Sequence, residues 1–406
     1  MSKKATAGNI LIVAVSLLVA ALLAEVVLRQ IRPVDFGRSS FFRIPHPVYG
    51  WVLEPGVSYI NYMREAPVPV SYNSNGWRDI EHAVDKPDGV TRILVLGDSF
   101  MEAYSVPFED SLPARLQQLA GRGGQQIEVI NLGVAGYGTL QEYLVYRDHG
   151  KQYQPDIVLL GFYVANDVRN NSNALESLVT PGTMRTGSPP FLDPGGEEDW
   201  KLTMPLYEAT MERYLESKKE REAIRKASGG SALLMGLLRL PGKLEKAIWE
   251  MSSSGDAHQE KLRHLIYQGI NYCKEPPEWT EAWDITRRVL ARLDREITEA
   301  GSKLMIFSVP AMHDVDIDRM NKVEEDAPES GLLCLEEAPG YARLAGILEE
   351  LEVEFIDLLP VFRKAAQGSG NSLFRHSDRH WNEGGHQLTA EHILSALYDT
   401  QWLEQK

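Results

Sequence analysis

Five short apolar runs separated by helix-like stretches constrain this chain more than any other feature. They lie at residues 93–96, 127–131, 157–162, 303–309 and 353–356, and each is continuous rather than alternating. A strand with one wet face alternates apolar and polar residues; a parallel strand covered on both faces does not. Helical spacing fills the gaps, over 111–119, 139–146, 279–300 and 341–351, and Asn382 is placed to cap a last helix reaching about Tyr398. Alternation of this kind predicts an α/β fold, a doubly wound parallel sheet of about five strands with helices on both faces. In such sheets ligands bind at the carboxyl ends of the strands.

The first run ends abruptly in Gly97-Asp98-Ser99-Phe100, which puts Ser99 at a strand exit. Taken alone, Ser99 is equally a helix cap; a serine brought out at the sheet top near helix amides is also a nucleophile's position. Far along the chain stands Asp378-Arg379-His380-Trp381-Asn382. A serine hydroxyl needs a base to take its proton, and the base works best when a third group fixes its tautomer. His380 has such a group in Asp378. His149, His313, His376 and His386 lack that company and read as structural. After the second run comes Asn131-Leu132-Gly133-Val134-Ala135-Gly136-Tyr137-Gly138, a glycine-rich turn in which the bare Gly136 lets a backbone amide approach a substrate oxygen. After the third run comes Asn166-Asp167, a turn signal whose Asn166 amide could serve the same oxygen.

At the N-terminus, Lys3 and Lys4 precede a run over 10–28 broken only by Ser16 and Glu25. At about 1.5 Å per residue a helix of that length spans a bilayer core. An uncleaved anchor occupying 1–32 is the expectation. A cleaved signal peptide ending near Val19-Ala20-Ala21 and a buried core helix are the rivals. Residues 33–90 are punctuated by proline and glycine and read as an irregular lead-in wrapped on the main domain, 91–400. That domain is interrupted by an insertion at about 170–277 with a charged helix over 207–226 and an apolar-striped one over 231–251. The second is expected to pack on the domain; a lid or a membrane-resting surface are the alternatives. The net charge of −15 and the lack of a basic patch interleaved with aromatics argue against a phosphate-backbone binder, so no nucleic-acid partner is expected. Cys273 and Cys334 are the only cysteines, fit no metal-ligand spacing, and are free to pair or not as far as spacing tells.

Gly97-Asp98-Ser99, Gly136, Asn166-Asp167 and Asp378 with His380, in this order and each beside its strand, resemble the four blocks of the SGNH (GDSL-like) hydrolase family. The likeness covers roughly 90–170 and 300–400. The anchor and the segment Asn73-Ser74-Asn75-Gly76-Trp77-Arg78-Asp79 are similar to a membrane-anchored bacterial branch. The resemblance implies a flavodoxin-like sheet and a catalytic set of Ser99, His380 and Asp378. It also implies an oxyanion hole of Ser99, Gly136 and Asn166, and neither metal nor organic cofactor. The usual final block separates acid and histidine by two residues. Here only Arg379 intervenes, and Ser377 stands where that acid would be. The Asp-x-His-Trp form is similar to relatives that O-acetylate exopolysaccharides. Three functions follow as expectations: a serine esterase on the periplasmic side of a bacterial inner membrane, acting on an ester-bearing small molecule or acylated glycan; an O-acyltransferase with the same residues; or a non-catalytic envelope- or glycan-binding module.

Overall fold

The computed structural model describes residues 3–31, 43–62, 65–178, 189–193, 200–234, 237–238, 257–329, 331–369 and 372–404. Its centre is a sheet of β1 (Thr91–Gly97), β2 (Ile127–Asn131), β3 (Ile157–Phe162), β4 (Lys303–Ser308) and β5 (Glu354–Ile356). The strands are all parallel, in spatial order 2-1-3-4-5. This is the flavodoxin-like order, and the chain reverses its direction of travel between β1 and β3. Every β3 residue is buried, as its unbroken apolar run requires. The five predicted strands are therefore all present, in the predicted class of sheet.

Helices cover both faces. Pro277–Glu299 turns Trp279, Trp283, Val289, Leu290, Leu293 and Ile297 inward at helical spacing. The Trp283 ring stacks on Phe162 of β3 at 6.3 Å. Each such side chain contributes about 1.5–3 kcal/mol by leaving water. The last helix, Glu383–Asp399, starts where expected: the Asn382 side chain accepts from the amides of Gly384 (2.9 Å) and Gly385 (3.1 Å). It packs against the helix Leu112–Arg122 that follows β1.

The lead-in contains two antiparallel hairpins, Arg43–His46 with Gly50–Leu53 and Ser58–Tyr62 with Pro67–Ser71. In the last strand alternate residues, Val68 and Val70, enter the core. Arg92 ties the end of the lead-in to the foot of β1. Its guanidinium is fully buried, pairs with Glu128 at 2.6 Å, and donates to the carbonyls of Ala83, Val84, Asp85 and Tyr153. A cation at the head of an apolar run is thus fully partnered, as burial demands.

Cys273 and Cys334 form a disulfide with Cα atoms 4.9 Å apart. Flanking backbone pairs, Cys273 N–H to Leu332 O and Cys334 N–H to Asn271 O, hold the two segments side by side. Proximity here comes from tertiary packing, which spacing in the sequence does not reveal.

Residues 43–210 and 258–406 form one compact unit, and residues 1–42 with 211–257 another. The second contains the helix Lys3–Ile31, in which the window Ile12–Arg29 has mean hydropathy 2.4 and no buried portion. It is long and apolar enough to cross a membrane, and none of that window is buried, in contrast to the buried-core-helix alternative. Within this unit Glu25 accepts from Arg29, from the Ser231 hydroxyl and from the amides of Ala232 and Leu233. The charged helix expected in the insertion is present as Tyr207–Ser228. Of the second expected helix, Ser231 is not helical, 232–234 and 237–238 are helical, and the remainder lies outside the described residues.

Candidate active site

The site stands at the crevice where strand order reverses, between the carboxyl ends of β1 and β3. β1 runs into a short helix, Ser99–Glu102, capped by Asp98, whose Oδ1 accepts from the Phe100 amide at 2.9 Å. Asp98 is wholly buried, and burial pushes its carboxyl above the usual range. Ser99 stays partly exposed at the sheet edge. Its Oγ lies 2.7 Å from His380 Nε2.

His380 reaches it from a loop closed by the Phe374–Trp381 bridge and by a hydrogen bond from Arg375 N–H to His380 O at 2.8 Å. Trp381 fixes that loop. It is fully buried, donates from Nε1 to Pro310 O at 3.2 Å, stacks on Phe362, and meets Phe100 edge-on at 5.1 Å. The imidazole itself packs against both Phe100 (4.8 Å) and Tyr104 (5.2 Å). Asp378 Oδ2 is 3.3 Å from His380 Nδ1, close but out of hydrogen-bonding line, while Oδ1 accepts from the His380 backbone amide at 3.2 Å. With one residue between Asp378 and His380, the chain must turn sharply to bring their side chains together. Arg379 makes that turn with φ of +68°, a region costly for a side-chain-bearing residue.

Gly136 lies in the loop after β2 with φ of +80°. A Cβ there would meet the Arg43 guanidinium at 3.4 Å, an ordinary contact, so it is the backbone conformation that favours glycine. Its N–H makes no hydrogen bond among the described residues, and its carbonyl accepts from Asn170 Nδ2 at 2.7 Å. Three residues earlier, a Cβ on Gly133 would stand 2.8 Å from the backbone nitrogen of Glu102, so this loop lies directly on the Ser99 helix. Asn166 belongs to the helix Val164–Asn170 after β3. Its Nδ2 donates to Asp98 Oδ2 (3.1 Å) and to Tyr137 O (3.3 Å), so the amide hydrogens are engaged. Asp98 Oδ2 also receives the Ser99 hydroxyl at 3.4 Å, which joins the first and third motifs through one carboxylate. Asp167 turns back to accept from the Tyr163 amide at 2.8 Å at the helix start. Burial, reinforced by repulsion from Glu142 and Asp98, holds Asp167 well above the carboxylate range.

Several residues of this neighbourhood escape a reading of the chain alone. Arg78, 1% exposed, donates to the carbonyls of Glu102 (3.0 Å), Ala103 and Val106 (2.6 Å), clamping the segment that leaves the Ser99 helix. Glu102 in turn accepts from the Tyr72 hydroxyl (2.8 Å) and the Ala135 amide (2.7 Å). The signal was an arginine beside a tryptophan in the otherwise turn-like Gly76-Trp77-Arg78-Asp79. Among the other histidines, His386 is fully buried edge-on to Trp381, and burial with nearby Arg78 lowers its pKa to about 3. No group of three or more His, Cys, Asp or Glu among the described residues is arranged to hold a metal ion.

Residues 274–406, a third of the chain, match the family model described as "SGNH hydrolase-like domain, acetyltransferase AlgX". The chain resembles the SGNH/GDSL-like hydrolases, and the matched segment contains Asp378 and His380. No curated protein matches the sequence at a significant level. Among solved structures it is similar to an acetyl xylan esterase, AlAXEase, with TM-score 0.39, 13% identity, and coverage of 75% of this chain and 99% of that one. TesA is similar with TM-score 0.38 and 10% identity, over 76% of this chain and 99% of that one. A catalytic mutant of Axe2, an acetylxylan esterase from Geobacillus stearothermophilus, is similar with TM-score 0.38 and 10% identity over 76% and 94%. Likeness this distant says nothing about substrate or about which residues act.

Proposed function

We propose that the chain is a serine-dependent acyl-ester enzyme that takes an acyl group, such as acetyl, onto Ser99. The observation that carries this is the 2.7 Å contact between Ser99 Oγ and His380 Nε2 at the carboxyl edge of the sheet. His380 takes the hydroxyl proton as Oγ attacks the ester carbonyl carbon, and a tetrahedral oxyanion forms. The open Gly136 amide and the Ser99 amide receive that charge; preorganised donors of this kind are each worth about 2.7–4 kcal/mol. Asn166 joins them by releasing one hydrogen from Asp98 or Tyr137. The intermediate collapses as His380 hands its proton to the departing alcohol. Asp378, beside Nδ1, favours the tautomer that keeps Nε2 free as the base.

The second half-reaction needs a nucleophile that His380 deprotonates in the same way. Water makes the chain an esterase. A glycan hydroxyl makes it an O-acyltransferase, and the acetyltransferase description of the matching family model favours this second reading. With the apolar helix as anchor, we place the catalytic unit outside the cytoplasm, where envelope glycans are found and where a disulfide persists. Replacing Ser99 with alanine should abolish both hydrolysis of p-nitrophenyl acetate and labelling by a fluorophosphonate. Turnover retained by Ser99→Ala removes Ser99 from the mechanism, and failure of the wild-type chain to label favours a non-catalytic binder. Acylated sugar exceeding free acid, when glycan is added to the acyl-enzyme, identifies the transferase.

A further inference from the structure

A cavity of about 500 Å³ opens beside the site, with Asn166 and Arg379 both in its wall. Its lining is strongly cationic. Arg169, Arg319, Lys322 and Arg379 face it against the single carboxylate of Asp326, in a chain whose net charge is −15. Arg169 is occupied, by Glu176 at 3.0 Å and by the Tyr267 ring at 5.2 Å. Arg319, Lys322 and Arg379 make no ion pair among the described residues. Bringing unpaired like charges into one concavity is unfavourable without an anion, and a cleft of one sign focuses its field on such a ligand. Arginine forks match carboxylate and phosphate geometry.

Arg379 makes the connection to chemistry. It is the residue between Asp378 and His380, held at φ of +68°, so the turn that brings acid to base also delivers a cation to the cavity. From these observations we propose that the cavity is an anion-binding subsite, which takes a carboxylate or phosphate carried by the substrate alcohol or acceptor. Its role in orienting a hydroxyl toward Ser99 rests on the acyl-transfer reading; its capacity to bind the anion does not. At its volume it falls in the range of small-molecule sites, roughly 300–1,000 Å³.

The test uses full-length Ser99→Ala protein in detergent, titrated calorimetrically with trigalacturonic acid, with maltotriose of equal length, and with glucose 6-phosphate against glucose. A charged probe is expected to bind about tenfold or more tighter than its neutral counterpart. That advantage should shrink as salt rises from about 0.05 M to roughly 0.5 M. Arg319→Gln with Lys322→Gln should abolish it, and Arg319→Lys with Lys322→Arg, which keeps both charges, should retain most of it. Preference for the hexuronate identifies a carboxylate ligand, and preference for the sugar phosphate a phosphorylated one. Equal affinity for charged and neutral probes, absence of binding by both charged probes, or a preference undiminished in the glutamine variant with native circular dichroism overturns the proposal. Because no turnover is needed, loss of the acyl-transfer reading would appear separately, as failure of wild-type Ser99 to label.

Discussion

Replacing Arg78 with glutamine should loosen the segment behind Ser99 and cost the fold several kilocalories per mole. The wild-type guanidinium is 1% exposed and donates to three carbonyls, those of Glu102, Ala103 and Val106. Charged hydrogen bonds contribute about 1.5–3 kcal/mol each, and a buried acceptor left bare costs roughly 1–3 kcal/mol. Glutamine is shorter and has two N–H donors for three carbonyls, so it leaves at least one bare and removes the cation that offsets the buried Glu102. The net expectation is about 3–5 kcal/mol, the size found on removing one partner of a buried charged pair. Ala103, at the centre of the clamp, has φ of +55° and immediately follows the Ser99 helix. Its relaxation moves Ser99, and on the proposed mechanism a displacement near 1 Å is worth on the order of a hundredfold in rate. Urea unfolding followed by tryptophan fluorescence measures the first effect, and kcat/KM for p-nitrophenyl acetate the second. A stability change under about 1 kcal/mol with unaltered kcat/KM would refute the reasoning.

Two further outcomes follow from burial and connectivity. Removing the Cys273–Cys334 bond, which closes a separation of 61 residues, by serine substitution at both positions should cost about 4 kcal/mol through loop-closure entropy; an unchanged denaturation midpoint would contradict it. His386 is neutral when buried, with a pKa of about 3 against an ordinary 6.5. Below pH 6.5 the unfolded chain takes up a proton that the folded chain refuses, so stability should fall steadily as pH drops from 6.5 toward 3, by up to roughly 4 kcal/mol. His386→Leu should flatten that part of the stability–pH curve, and an identical slope in the variant would assign the acid sensitivity elsewhere.

Local composition determined the sheet. Unbroken apolar runs at 93–96 and 157–162 are buried on both faces in parallel strands with helices above and below, so these two strands were legible before any coordinate; the run at 127–131 is interrupted by Glu128 and buries only its last three residues. The same locality made Asn382 readable as a helix cap, because its side chain serves amides two and three residues away. A strand exit likewise announces Ser99. The hairpins of the lead-in were less legible, since Pro67–Ser71 joins a two-stranded sheet whose register depends on a partner across a turn.

What tertiary structure alone decided is everything that depends on distance between segments remote in sequence. Ser99 and His380 are brought to 2.7 Å by Trp381 wedged among Phe100, Phe362 and Pro310, none of which advertises that contact. The left-handed turn at Arg379, the clamp made by Arg78, the closure of Cys273 on Cys334 and the cationic cavity beside Asn166 belong to the same class. Backbone propensity and hydrophobic period act over a few residues and so can be read along the chain. Charge clusters, buried hydrogen bonds and contacts such as that of Ser99 with His380 arise between side chains that only packing makes neighbours.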